Sequence, residues 1–246
     1  MLVRPVSPIR MLVLWDVDLT LVDLTGLNST WYQRAIAEVT GRTPNHVPPF
    51  AGRTDRWITM TLLSSVGLPP SDELIERVQA AAIAQVAAQR PHIAELGFAL
   101  PGAAEALRAI ADLPSIAQSL VTGNLRPIAG YKLGAFGLDK YVDLDIGGYG
   151  SVSEHRPRLV TDAMARAGAK FGVTFAPESV VVLGDTPHDV HAALVSGVRA
   201  VGVATGRHTA DELRTAGAHV VLPDLTDTAA VLAAIANHGI GTPCER

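Results

Sequence analysis

Cysteine is almost missing from this chain: Cys244 is the single one among 246 residues. One thiol excludes an intramolecular disulfide and suits a reducing compartment. Its place close to the C-terminus reads as a frayed, idle thiol rather than a nucleophile. Long apolar runs are missing as well. No stretch of about twenty uninterrupted apolar residues occurs, which argues against a membrane span. Blocks of Lys and Arg are absent and the net charge is -4, so nothing points to a nucleic-acid surface. Met1 to Arg10, broken by Pro5 and Pro8, lacks the apolar core and small-residue cleavage site of a secretory signal, and the cytoplasm is the expected location. There is no internal repeat or low-complexity tract.

What the chain does have is material for a substantial core. Hydrophobic residues make up 48% and charged residues 18%, the balance of a soluble folded protein. The length allows one large domain, or a core with a smaller accessory domain.

Met11 to Trp15 reads as a buried strand, and the next such run is Ile116 to Val121. The segment between them has a different texture. Leu27 to Val39 and Trp57 to Val66 carry helical spacing, and Asp72 to Gln89 is Ala-rich with Ser71 or Asp72 placed to cap its start. Turn signals at 41–49 and 67–70 separate them. The reading is a small helical domain inserted between the first and second core strands.

After Pro101-Gly102 an amphipathic helix runs to about Ala111, and the chain then alternates. Helices are expected over 126–136, 157–171, 189–196, 210–216 and 226–236. Strands are expected over 142–146, 180–183, 200–203 and 219–222. Strands alternating with helices predict a parallel α/β sheet, Rossmann-like, covered on both faces. The expected division is residues 1–22 and 98–246 for the core and 23–97 for the helical cap.

Two carboxylates, Asp16 and Asp18, stand where the first apolar run stops. In open parallel sheets ligands gather outside the carboxyl ends of strands. The same edge would carry Thr122 and Asn124 after the second core strand, and Asp185 and Asp189 after the strand at 180–183. Four carboxylates meeting there need relief by a cation. Carboxylate and carbonyl oxygens suit Mg²⁺, and no His/Cys cluster competes for zinc. The loop His155-Arg156-Pro157-Arg158 supplies a basic residue.

This ordered set resembles the haloacid dehalogenase-like hydrolase superfamily, and more narrowly its phosphoglycolate phosphatase and β-phosphoglucomutase branch, which carries a helical cap between its first two motifs. Asp16-Val17-Asp18-Leu19-Thr20 is similar to the first motif and Thr122-Gly123-Asn124 to the second. Arg156-Pro157 is similar to the third, and Gly184-Asp185 with Asp189 to the fourth. The resemblance implies that Asp16 is the nucleophile and forms an aspartyl phosphate. It implies that Asp18 moves protons to the leaving oxygen and from the attacking water. Mg²⁺ would sit among the Asp16 carboxylate, the Asp18 carbonyl and Asp185. Asp189 would bind a metal-bound water or cap its helix. Thr122, Gly123 and Asn124 would meet the phosphoryl oxygens, although an Asn there also suits a plain turn.

Two positions depart from the family pattern. Leu19 stands where Gly is usual, which restricts the turn or turns a side chain toward the cap. Arg156 stands where Lys is usual, with Arg158 as the competing candidate. In the cap, Gly52-Arg53-Thr54-Asp55 reads as a loop dipping into the site, with Arg53 on the substrate, or as a plain helix start capped by Thr54 or Asp55. Trp31 and Trp57 read as core, and His155 and His188 as solvent-facing.

The expected function is a Mg²⁺-dependent phosphatase for a small phosphorylated metabolite, phosphoglycolate-like or a sugar phosphate, with no nucleic-acid or membrane partner and an open oligomeric state. The alternatives are a phosphomutase, a dehalogenase, or a non-catalytic phosphate binder. The cap is expected to hinge near 23–27 and 97–102.

Overall fold

A computed structural model of the chain describes residues 8–24, 28–46 and 49–236, with the backbone alone at 28–30. Cys244 and the first seven residues lie outside these.

Six core strands were expected to run parallel, and the sheet has six in the order β5-β4-β1-β6-β7-β8, although β5 lies later in the chain than expected. They are β1 (Met11–Trp15), β4 (Ile116–Thr122), β5 (Gly148–Tyr149), β6 (Val180–Gly184), β7 (Arg199–Val203) and β8 (Val220–Leu222). Every pairing is parallel. The continuous apolar run of β1 follows from its central place. Leu12 and Leu14 enter one apolar cluster, while Val13 and Trp15 enter the other, on the opposite face. All four are fully buried, and burial of such side chains stabilises by roughly 1.5–3 kcal/mol each, so neither face tolerates a polar residue.

Helices α4 (Ala103–Ala111), α5 (Arg126–Gly134) and α9 (Thr228–Ala236) cover the Val13 face. Helices α6 (Arg156–Phe171), α7 (Pro187–Val195) and α8 (Ala210–Thr215) cover the Leu12 face. In register, Trp15 lies beside Leu120 of β4 and Leu183 of β6, so these three strands end together on one edge.

The segment between β1 and β4 forms α1 (Asn28–Thr40), α2 (Asp55–Ser65) and α3 (Asp72–Gln89). Thr54 and Ser71 cap α2 and α3 with side-chain oxygens. The three helices enclose an apolar cluster of their own that includes Ile36, Leu62 and Val78. Trp31 and Val86 instead join the apolar cluster of the sheet, so the inserted helices are also packed onto the core.

Two expectations changed. The strand expected over 142–146 is absent: the chain makes short 3₁₀ turns at Asp139–Tyr141 and Leu144–Ile146 before the two-residue β5. Asp143 is the cause, because its side chain accepts from the Asp145 amide and bends the backbone out of the strand path. A two-stranded antiparallel ribbon, β2 (Val22–Asp23) with β3 (Phe98–Ala99), joins the inserted segment to the sheet. Two-residue strands are too short to leave a periodic signal.

Candidate active site

The Asp16 amide donates to the Leu183 carbonyl at 2.8 Å, which carries the β1 path one residue past Trp15 and places Asp16 at the strand-end edge. The chain then turns sharply, with the Leu21 and Val22 amides both on the Val17 carbonyl. Leu19 takes φ +61°, the one positive φ at a non-glycine among the described residues. The turn is therefore kept as glycine would make it, at a cost in strain. The Thr205 hydroxyl holds it by donating to the Leu19 carbonyl at 2.6 Å.

At the end of β6, Asp185 is buried and Thr186 caps α7. Asp189 completes a capping box, its Oδ2 accepting from the Thr186 amide at 3.0 Å and from the Thr186 hydroxyl at 2.6 Å. The helix-cap role left open for Asp189 is thus present in the geometry. Its other oxygen, Oδ1, lies 2.5 Å from Arg156 Nη2. The same Nη2 donates to Asp16 Oδ1 at 2.7 Å. Arg156, at the first position of α6, is buried and aimed at the carboxylates, while Arg158 is exposed.

Ligand oxygens of Asp16, Asp185 and Asp189 all lie within 4.8 Å of one another. Three carboxylates against one guanidinium leave a net charge near minus two if all are ionised. Burial pushes Asp16 up to about 7, with Asp189 and Asp18 adding to the rise against the pull of Arg156. Burial, then the charges of Asp16 and Asp189, push Asp185 up to about 9. Burial works against the charge of Arg156, yet Asp189 and Asp16 together raise its pKa. An all-oxygen donor set short of positive charge fits a hard divalent cation.

Thr122 ends β4, and its hydroxyl oxygen accepts from Asn124 Nδ2 at 2.8 Å. Asn124 Nδ2 also donates to Asp18 Oδ2 at 2.7 Å. Behind Asp18 stands a residue the sequence reading missed. Lys132 of α5 is fully buried and donates to Asp18 Oδ1 at 2.7 Å, Asp18 Oδ2 at 2.8 Å and Asn124 Oδ1 at 2.8 Å. A signal was present: Lys132 falls on the stripe of Ile128, Ala129 and Leu133, where a cation has no solvent to face.

The inserted segment closes over these groups. The Asp55 amide donates to the Gly123 carbonyl at 2.7 Å and the Arg56 amide to the Gly150 carbonyl at 2.9 Å. The Asp55 carboxylate accepts from the Leu125 amide at 2.7 Å, at the start of α5. This approach requires glycine at 123, where a Cβ would lie 1.9 Å from the Arg53 carbonyl oxygen. The cavity at this contact holds about 350 Å³ and is lined by Asp16, Asp18 and Asp185 together with Tyr32, Phe50 and Arg53. Arg53 stacks on the Trp57 ring at 4.5 Å and also lines the cavity, while Thr54 caps α2, so the loop that starts this helix also reaches the cavity. Trp31 is buried, and Trp57 is only partly so. His188 is about half-buried beside Gly52, and burial, then Arg53 and Arg156, lower its pKa. A wider groove of about 560 Å³ lies at the far end of β4, by Gln118 and Asp143, and holds none of these groups.

The HAD-hydrolase-like family matches residues 155–228. A protein named as a probable phosphatase, IndB of Dickeya dadantii, is 28% identical over 229 residues, covering 88% of this chain and 90% of that one. The phosphoglycolate phosphatase of Salmonella paratyphi A is 26% identical over 170 residues, covering 68% of this chain and 65% of that one. Among solved structures, a hydrolase from Pseudomonas syringae aligns with TM-score 0.62 at 24% identity over 92% of this chain and 99% of that one. A protein provisionally named beta-phosphoglucomutase, from Bacteroides vulgatus, aligns with TM-score 0.63 at 18% identity over 94% and 90%. These two structural likenesses concern the fold. Together with the strand-end cluster, the matched segment and the two relatives make the chain similar to haloacid dehalogenase-like hydrolases of the phosphatase type.

Proposed function

We propose that the protein is a Mg²⁺-dependent, cytoplasmic phosphatase that hydrolyses a small phosphate monoester through an aspartyl phosphate on Asp16. One observation carries this reading: Asp16 and Asp185, from different strand ends, bring carboxylate oxygens within 4.8 Å of each other in a cavity that also holds Asp18 and Arg156.

Asp16 attacks phosphorus, so a P–O bond to its carboxylate forms as the ester P–O bond breaks. Asp18 gives a proton to the departing oxygen and later takes one from the attacking water. The Arg156 guanidinium holds Asp16 in place and stabilises charge on the phosphoryl group. The Thr122 hydroxyl and the Gly123 and Asn124 loop orient the phosphoryl oxygens. Asp16, Asp185 and the Asp18 carbonyl would hold Mg²⁺, with Asp189 alongside. When bound, the ion supplies the positive charge that lets an anionic nucleophile meet an anionic ester.

The cavity is at the small end for ligand sites, which suits a compact ester. Arg53 and Arg207 line it and favour a leaving group with an anionic or hydroxyl substituent, such as a phosphoglycolate-like acid or a sugar phosphate. We assign residues 1–22 and 98–246 to the core and 23–97 to a cap. Its hinges would lie at 23–27, of which 25–27 are outside the described residues, and at 97–102. Phosphate release from a panel of esters, with Mg²⁺ and with EDTA, tests the function. Release that survives EDTA, or an Asp16→Asn protein at full activity, would overturn it. Isomerisation of a sugar phosphate without net release would replace it with a phosphomutase.

A further inference from the structure

We propose that Lys132 is the positioning residue for the acid–base carboxylate: it fixes the Asp18 side chain from behind while Asn124 couples it to the phosphate loop. This inference rests on the phosphatase reading above.

An ammonium with no solvent exposure is tolerated only when its donors are satisfied and its charge is paired. The three N–H donors of Lys132 meet three acceptors at 2.7–2.8 Å, two of them the oxygens of Asp18. Asn124 adds a donor to Asp18 Oδ2 and a second contact to the Thr122 hydroxyl. Lys132, Asn124, Asp18 and Thr122 are thus one connected set spanning α5, the turn after β1 and the end of β4.

The Asp18 side chain stays 27% exposed and lines the cavity, whereas Lys132 is fully buried and does not. Lys132 therefore touches no substrate and acts through Asp18. Without it, a carboxylate on a two-bond side chain at a cavity wall would sample several rotamers. Proton transfer to a departing oxygen depends on hydrogen-bond geometry held within a few tenths of an ångström. The pair also keeps Asp18 from adding a further uncompensated charge to the neighbouring Asp16 cluster.

A merely structural lysine would tie α5 to β1 and affect every substrate alike. A positioning lysine would affect the step that needs the proton. In that step Asp16 bonds to phosphorus, the ester bond breaks, and its electron pair leaves on oxygen together with the Asp18 proton. A para-nitrophenolate leaving group departs without that proton, while a benzyl alkoxide needs it.

The test compares kcat/KM for para-nitrophenyl phosphate and benzyl phosphate in Lys132→Met. The expected loss is about a hundredfold for benzyl phosphate and within about threefold for the aryl ester. In an Asp18→Asn background the same change should cost benzyl phosphate nothing further, because the residue it acts through is gone. Equal losses on both esters, no loss on either, or a full additional loss on Asp18→Asn would overturn the inference. Should Lys132→Met not fold, Lys132→Gln, which keeps N–H donors without the charge, is read by the same ratio. A wild-type protein inactive on both esters would instead sink the phosphatase reading, and this inference with it.

Discussion

The two buried cations of the site are solved in opposite ways. Arg156 serves Asp16 and Asp189 through one nitrogen, with Asp185 close by, so positive charge is in deficit there. Its Nε has no partner at all. Lys132 faces a single carboxylate, with both oxygens engaged and Asn124 taking its third proton, so charge is balanced. The difference bears on where the proposed divalent cation would bind. It would offset the charge deficit on the Arg156 side, while the Lys132 side is already balanced. Asp16 and Asp18, two residues apart in sequence, therefore sit in different electrostatic environments.

The largest test breaks this comparison at its two carboxylates. Asp16→Asn should lower phosphate release by at least about a thousandfold, as expected for loss of a nucleophile. Without metal it should leave thermal stability unchanged or raised, because it removes one charge from a crowded, buried set. Asp18→Asn should do the reverse to stability, costing about 3 kcal/mol, since it leaves the buried Lys132 without its counter-ion. Denaturant midpoints in EDTA check the signs. If both changes shift stability the same way, the contrast between the two sides fails.

The charge deficit also predicts a metal response that needs no turnover. Saturating Mg²⁺ should raise the melting temperature by about 5–10 °C, from about 2.7 kcal/mol of binding free energy. Asp185→Asn should abolish most of that shift, while Lys132→Met should leave it intact. Scanning calorimetry with and without Mg²⁺ reads both, and an unchanged shift in Asp185→Asn would move the ion elsewhere.

A smaller effect lies in the contact between cap and core. Burial pushes the Asp55 carboxyl up to about 6, although it accepts the Leu125 amide. The native state then holds this proton between about pH 4 and pH 6, where the unfolded chain has lost it. Stability from this group is thus greatest below pH 4 and declines as pH rises through 6. The decline is on the order of 2–3 kcal/mol. Asp55→Asn keeps an oxygen for the Leu125 amide and cannot ionise. Its stability relative to wild type should rise by that amount between pH 4 and pH 7, measured by urea unfolding in EDTA. A flat difference would mean that Asp55 is not desolvated by the docked cap.

These contrasts also show what could be read in advance. Asp16, Asp18, Thr122 and Asp185 were legible because parallel strands carry their carboxyl ends to one edge, whatever the side chains do. The four-residue spacing from Asp185 to Asp189 could not decide between a metal-bound water and a helix cap; the capping box with Thr186 comes from the local backbone. Lys132 was hidden because its reach from the last turn of α5 to the loop after β1 depends on how α5 packs on the sheet. The strand expected over 142–146 failed for a local reason, since β-branched and apolar residues there were outweighed by the Asp143 turn.

The smallest effect concerns Leu19, between the two regions. It holds φ +61° in the turn after Asp18 and lines the cavity. A left-handed backbone costs a residue with a Cβ about 1–2 kcal/mol, and glycine avoids that cost but loses more entropy on folding, about 0.5–1 kcal/mol. The balance predicts that Leu19→Gly stabilises the protein by about 0.5–1 kcal/mol. The hydrogen bond from Thr205 to the Leu19 carbonyl is made by the backbone and survives the change. Activity separates two uses of the side chain. If leucine only occupies the position, kcat and KM stay as they are while the melting temperature rises. If it forms a wall for the leaving group, KM increases severalfold for a small ester with kcat unchanged, because binding common to ground and transition state is what has been removed. A fall in kcat with the aryl ester would mean that the strained turn itself aims Asp16, and the strain would then belong to the chemistry rather than to specificity.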